Sequence, residues 1–62
     1  MCLSNVYLLT DEGENLVCEY ASNVETEGNV IKLTDVIGQE VTVTGVIASV
    51  DLIKNEIRVK GC

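Results

Sequence analysis

The chain has 62 residues, 47% of them hydrophobic, and ten acidic against four basic side chains give it a net charge of −6. A chain this short forms one domain, residues 1–62, whose small core calls for a staple or a partner subunit. The negative charge repels phosphate backbones and anionic lipids, so neither nucleic acid nor a membrane is an expected partner.

The first half of the chain predicts four short strands. Residues 3–10 are rich in Val, Tyr and Leu, and residues 16–21 return after the polar, glycine-containing turn 11–14. Residues 24–27 and 30–34 then flank Gly28-Asn29, a dipeptide that tolerates positive φ and suits a two-residue hairpin loop.

The second half begins with a connector at residues 34–39, where an N-cap-type pair followed by glycine permits one helical or 3₁₀ turn. Residues 41–44 alternate with apolar side chains at odd positions, but beyond Gly45 the apolar positions become even. This slip predicts a bulge or a sharp bend at the glycine.

Residues 51–55 are predicted to form a turn, and residues 56–60 alternate again, with Ile57 and Val59 pointing inward. The pattern as a whole indicates an all-β fold, a small, mostly antiparallel barrel or rolled sheet of about six short strands.

The sequence contains no hydrophobic run near the roughly 20 residues that cross a bilayer, and no secretory signal. Its three cysteines, Cys2, Cys18 and Cys62, are odd in number and widely spaced, unlike those of disulfide-rich secreted proteins. We therefore expect a cytoplasmic protein with reduced thiols, of which Cys18 is a buried or half-buried structural residue.

Several enzyme classes lack their residues in this chain. There is no histidine for a nucleophilic triad or a histidine-ligated metal, and the five glycines are scattered singly rather than grouped in a phosphate loop. The acidic residues of 11–14 and 25–27 are typical of solvated turns, and they lack the spacing of a calcium loop. We predict that the protein is not an enzyme.

Cys2 is the best metal ligand that the sequence offers. A thiol at the second residue can bind one ion together with a backbone nitrogen and the free α-amine, in a chelate that suits Ni(II) or copper. The alternative is structural: Cys2 would be a small hydrophobic residue that begins the first strand.

One chain supplies too few donors to complete such a site. Two N-termini related by a two-fold axis would supply two sulfurs and at least two nitrogens, which is enough for a square-planar ion. Because a bound cation stabilises deprotonated thiol and amine, acid should release the metal.

The sequence resembles the CooT family of small proteins over most of its length. The matching residues are Met1 to Leu8, Val24-Glu25, Glu27-Gly28, Ile31 to Thr34, Gly38, Gly45 and Val50 to Leu52. The resemblance implies a homodimer that binds one Ni(II) at Cys2 and delivers nickel to carbon monoxide dehydrogenase, its client, or to the maturation factors of that enzyme.

Other interpretations remain open at this stage. The HypC chaperones also begin Met-Cys, but this chain lacks the proline of their opening motif. A different class is a small Sm-like RNA-binding barrel, although only Tyr7, Tyr20 and four cations are available for it. A third is a non-catalytic module that docks a basic partner through its acidic surface.

Overall fold

A computed structural model describes residues 3–61, and over that range the chain forms five strands and turns, with no helix. In chain order the strands are β1 (Ser4–Thr10), β2 (Gly13–Glu27), β3 (Val30–Asp35), β4 (Glu40–Asp51) and β5 (Glu56–Gly61). Within residues 3–61 no helix is long and apolar enough to cross a membrane.

The strands close into a barrel in the order β1-β2-β3-β4-β5. The four pairs of consecutive strands are antiparallel, and β1 and β5 close the ring as a parallel pair. The prediction of a small, mostly antiparallel β-barrel is therefore confirmed.

The barrel has five strands because the predicted strands 16–21 and 24–27 are two halves of β2. The first half pairs with β1 as far as Ala21, and the second half pairs with β3. Tyr20 has a φ of 57°, and the register with β3 shifts just after Ala21. A bulge of this kind bends a strand without ending it. Ser22, which suggests a turn in the sequence, instead donates hydrogen bonds from its hydroxyl to carbonyls of β3.

β4 also changes partner along its length, from β3 to β5. The change occurs at Gly45, where a Cβ atom would collide with the backbone carbonyl of Lys60. The register shift itself lies between Ile47 and Ser49, so the extra residue is Ala48. The glycine predicted to carry a bulge is thus the crossing point, and the bulge follows three residues later.

One predicted turn is confirmed, and the bounds of another differ from the prediction. Gly28, with a φ of 60°, and Asn29 connect paired Glu27 and Val30 in the predicted two-residue hairpin. In the predicted connector 34–39, β3 continues through Asp35, and residues 36–39 form a turn without a helical segment.

The core is small and aliphatic, as the composition requires. It consists of Val6, Cys18, Ala21, Ile31, Leu33, Ile57 and Val59. Ile57 and Val59 point inward as predicted, and Cys18 is a buried free thiol.

Candidate metal site at the start of the first strand

One row of paired residues crosses the sheet at the start of β1. Along this row Asp35 pairs with Ala21, Ala21 with Ser4, and Glu56 with both Asn5 and Asp51. The turn 36–39, the turn 52–55 and the N-terminal segment all leave the barrel from this row. We refer to it as the N-terminal rim.

Two hydrogen bonds anchor the start of β1 on the N-terminal rim. The backbone N–H of Asn5 donates to the carbonyl of Asn55 at 2.9 Å, and the backbone N–H of Tyr20 donates to Asn5 Oδ1 at 3.2 Å. Asn55 and Tyr20 both have a φ of 57°, a conformation that asparagine tolerates better than most residues. The only signal of this anchor in the sequence is the turn-forming asparagine after Lys54, and no local pattern connects it with β1.

Cys2, the predicted metal ligand, lies outside the described residues, as does Met1. The described chain begins at Leu3, next to the start of β1 at Ser4.

The carboxylates of the N-terminal rim already have backbone partners. Asp35 Oδ1 accepts hydrogen bonds from the N–H groups of Ile37 at 3.0 Å and Gln39 at 2.9 Å. Asp51 Oδ1 accepts from Ile53 and Lys54, both at 3.0 Å. The hydrogen bond from Lys54, followed by that from Ile53, lowers the pKa of Asp51 despite partial desolvation. Both carboxylates therefore act as turn caps.

Residues 3–61 contain no group of three or more cysteine or acidic side chains that would hold a metal ion by itself. One carboxylate of each acidic cluster noted in the sequence instead forms an ion pair. Glu14 is bound by the guanidinium of Arg58, and Glu25 lies 3.5 Å from Lys32 Nζ. These clusters contribute to the charged outer surface of the barrel.

Cys18 does not have the properties of a ready nickel ligand. Its side chain belongs to the buried core, and the residue pairs with Val6 of β1. Burial raises the pKa of its thiol, and the negative charge of Asp35 raises it further. A raised pKa keeps the sulfur protonated at neutral pH, whereas metals bind the thiolate. Cys62 lies outside the described residues.

These features define a small five-stranded β-barrel whose first strand is anchored by Asn5. The family model of the CO dehydrogenase accessory protein CooT matches residues 1–60, and the chain belongs to the CooT family. The protein is accordingly an accessory protein for CO dehydrogenase and not an enzyme.

The barrel is also similar to a crystal structure assigned to CooT from Carboxydothermus hydrogenoformans. The two share 16% sequence identity with a TM-score of 0.90, and the alignment covers 98% of each chain. At that identity the likeness establishes the fold alone. No curated protein matches the sequence.

Proposed function

We propose that this protein is a cytoplasmic nickel metallochaperone. Its homodimer binds one Ni(II) through Cys2 and delivers the ion during maturation of carbon monoxide dehydrogenase. The observation that carries the proposal is the match to the accessory-protein family, which includes Cys2 within residues 1–60.

The donor chemistry of the chain start supports nickel as the cargo. Cys2 combines a thiolate with nearby backbone and terminal nitrogens, and such soft and nitrogen donors favour Ni(II) over magnesium or calcium. The core cysteine, Cys18, is held in its protonated form by burial. Cys2 is thus the thiol best suited to bind the metal.

The anchored start of β1 supports a metal site at the chain start. The hydrogen bond from Asn5 to Asn55 limits the motion of the first strand. A ligand that precedes a fixed strand would lose less entropy when it binds metal, so a site shared between two chains would be less costly to assemble.

The test is a nickel titration of the wild-type chain, Cys2→Ser and Cys18→Ser, followed by thiolate-to-nickel charge-transfer absorption. We expect half a nickel per chain for the wild type and for Cys18→Ser, and loss of the band in Cys2→Ser. Intact mass establishes whether Met1 is present. Full nickel affinity in Cys2→Ser would show that the site lies elsewhere.

RNA binding is the competing function, and two of the four cations and one of the two tyrosines available for it already have partners within the chain. Lys32 Nζ lies within 4 Å of both Glu25 and Glu40. The guanidinium of Arg58 lies 5.3 Å from the centroid of the Tyr7 ring, which leaves that ring face less free to stack on a base. If the wild-type protein bound single-stranded RNA with an affinity that falls as the salt concentration rises, this function would be favoured over the nickel proposal.

A further inference from the structure

We propose that a groove between the first half of β2 and the turn after β3 binds an extended, cationic peptide segment of a partner protein. The segment pairs with the open edge of β2, places an apolar side chain in the groove and sets basic side chains against two carboxylates. We call this site the β2 groove. The proposal goes beyond nickel binding, because it requires neither the metal nor Cys2.

The β2 groove exists because β3 ends where β2 continues. At this end of their pairing Ala21 is opposite Asp35, and the chain then turns away through residues 36–39. Residues 13–18 of β2 pair with β1 on one side, and no described strand pairs with them on the other side. The groove has a volume of about 380 Å³ and is lined by residues 17–20 and by residues within 35–41.

The open edge of β2 offers backbone hydrogen-bond groups to an extended chain. The N–H and C=O groups of a strand point alternately to its two sides, so an edge without a neighbouring strand leaves half of them for an added strand. Peptides that bind in this way gain affinity from main-chain hydrogen bonds and specificity from side-chain pockets. The open position beside residues 14–18 continues the one that β3 occupies beside residues 21–27.

Apolar side chains line the β2 groove and lie on a turn that is already ordered. Ile37 is 75% exposed, and Val36 and Val41 are exposed as well. Asp35 Oδ1 accepts hydrogen bonds from two N–H groups of the turn, which fixes its backbone. A peptide does not have to order this turn when it binds, so less of the gain from covering the aliphatic side chains is lost.

Tyr20 lies beside the β2 groove in a strained conformation. Its φ of 57° is an outlier for a bulky residue, and its backbone N–H donates to Asn5 Oδ1, which holds it there. Strained residues that their surroundings hold in place cluster at binding sites. Its side chain is exposed, and an exposed tyrosine supplies both apolar area and a hydroxyl to a bound peptide.

Charge favours a cationic segment over a second copy of the chain. Among the described residues that line the β2 groove, the charged ones are Glu19 and Asp35, and both are acidic. The pKa of Cys18 is raised mainly by burial, but the charge of Asp35 adds to it, so the field of this carboxylate reaches the lining. A second chain would bring a charge of −6 to this acidic groove, whereas Lys or Arg side chains complement it.

The test uses synthetic peptides and ¹⁵N-labelled protein without nickel. The probe is the blocked peptide Lys-Val-Leu-Val-Lys, and Glu-Val-Leu-Val-Glu is its control of opposite charge. Amide chemical shifts give both the dissociation constant and the place of binding. We expect the cationic peptide to shift the amides of residues 14–20 and 36–39, and the acidic peptide to bind at least about tenfold more weakly.

Backbone methylation tests the pairing with the edge of β2. Two further probes carry one N-methyl group each, on the first valine or on the leucine. Because successive N–H groups of an extended chain point to opposite sides, one of these two peptides should bind more weakly than the parent and the other should not. Equal affinity of both methylated peptides and the parent overturns the strand pairing.

Glu19→Lys and Ile37→Ser test the lining, and each has a matched control outside the β2 groove. Glu12→Lys reverses a charge at another exposed position, and Ile53→Ser changes an isoleucine that is 94% exposed on the turn after β4. We expect the two groove variants to bind the cationic peptide at least about fivefold more weakly, and the controls to match the wild type. Circular dichroism checks the fold of all four.

Three results overturn the inference. They are the absence of saturable shifts up to about 1 mM cationic peptide, shifts that lie outside the groove, and equal binding by the groove variants and their controls. Sedimentation velocity adds a fourth: if Ile37→Ser converts a dimeric wild type to a monomer, a second copy occupies the groove.

Cys2→Ser separates this inference from the proposed function. We expect this variant to bind the cationic peptide as the wild type does, because Cys2 does not belong to the β2 groove. Wild-type protein that binds the peptide but no nickel supports the groove and contradicts the nickel function. Wild-type protein that binds nickel but not the peptide does the reverse.

Discussion

Gly45 is the residue on which the bend of β4 depends. It lies where the strand leaves β3 and begins to pair with β5, and the space for a Cβ is taken by the carbonyl of Lys60. We predict that Gly45→Ala lowers the free energy of unfolding by about 1–3 kcal/mol, because backbone rather than a flexible side chain must move.

Urea denaturation measures this effect, and Gly61→Ala is its control. A Cβ at Gly61, the residue paired with Gly45, would meet Leu8 Cδ1 at 3.8 Å, an ordinary contact. Equal losses of stability in the two variants would show that the close approach at Gly45 has no special cost.

Cys18 shows what residue type alone leaves open. The sequence predicts a structural thiol from its place between Val17 and Glu19, and the structure confirms its burial. That its pKa is raised further by Asp35 depends on a residue 17 positions away, which no local pattern reveals.

At the scale of the elements, Asp35 holds the turn between β3 and β4. Its carboxylate accepts from the N–H groups of Ile37 and Gln39, and its carbonyl accepts from Gly38 at 3.0 Å. We predict that Asp35→Ala lowers the free energy of unfolding by about 1 kcal/mol, since two backbone donors lose their partner.

Asp35→Asn is the matched variant, because its side-chain oxygen still accepts a hydrogen bond. Urea denaturation should place Asp35→Asn closer to the wild type than Asp35→Ala. If the two variants were equally destabilised, the negative charge, and not the hydrogen bonds of the turn, would be the stabilising feature.

The strands themselves show where local patterns are sufficient. The Gly28-Asn29 hairpin and the inward positions of β5 follow from turn chemistry and from alternation, which act over a few residues. The continuous β2 does not follow, because Ser22 in the sequence resembles a turn residue until β3 supplies its hydrogen-bond partners.

On the scale of the whole molecule, an ion cluster joins strands across the closure of the barrel. Arg58 of β5 binds Glu14 of β2, and its Nη1 lies 3.1 Å from Glu56. The hydrogen bond with Arg58 lowers the pKa of Glu14. Since this carboxyl is more acidic when folded, it stabilises the fold above its unfolded pKa, and the contribution is lost as the pH falls through the folded value.

We therefore predict that Glu14→Gln reduces the loss of stability between about pH 5 and pH 2, because it removes one of the groups that take up a proton on unfolding. Thermal denaturation over this range measures the slope. Glu12→Gln, at an exposed position of the same turn, should keep the slope of the wild type. An unchanged slope in Glu14→Gln would contradict the assignment.

The candidate site likewise has one part that the sequence predicts and one part that only the fold supplies. The proposal that Cys2 is the ligand comes from its residue type and position, which can be read without a fold. The rim that anchors the strand after it depends on Asn5 meeting Asn55 and Tyr20, residues 50 and 15 positions away that only a folded chain brings together.

The sequence by itself determined the β class, the hairpin at Gly28-Asn29, the inward face of β5 and membership in the CooT family. These depend on neighbouring residues or on the order of residues along the chain. The tertiary structure alone decided the bends of β2 and β4 and the bulge at Ala48. Each of these is set by which distant strands pair, and that pairing is not encoded within a local segment of the chain.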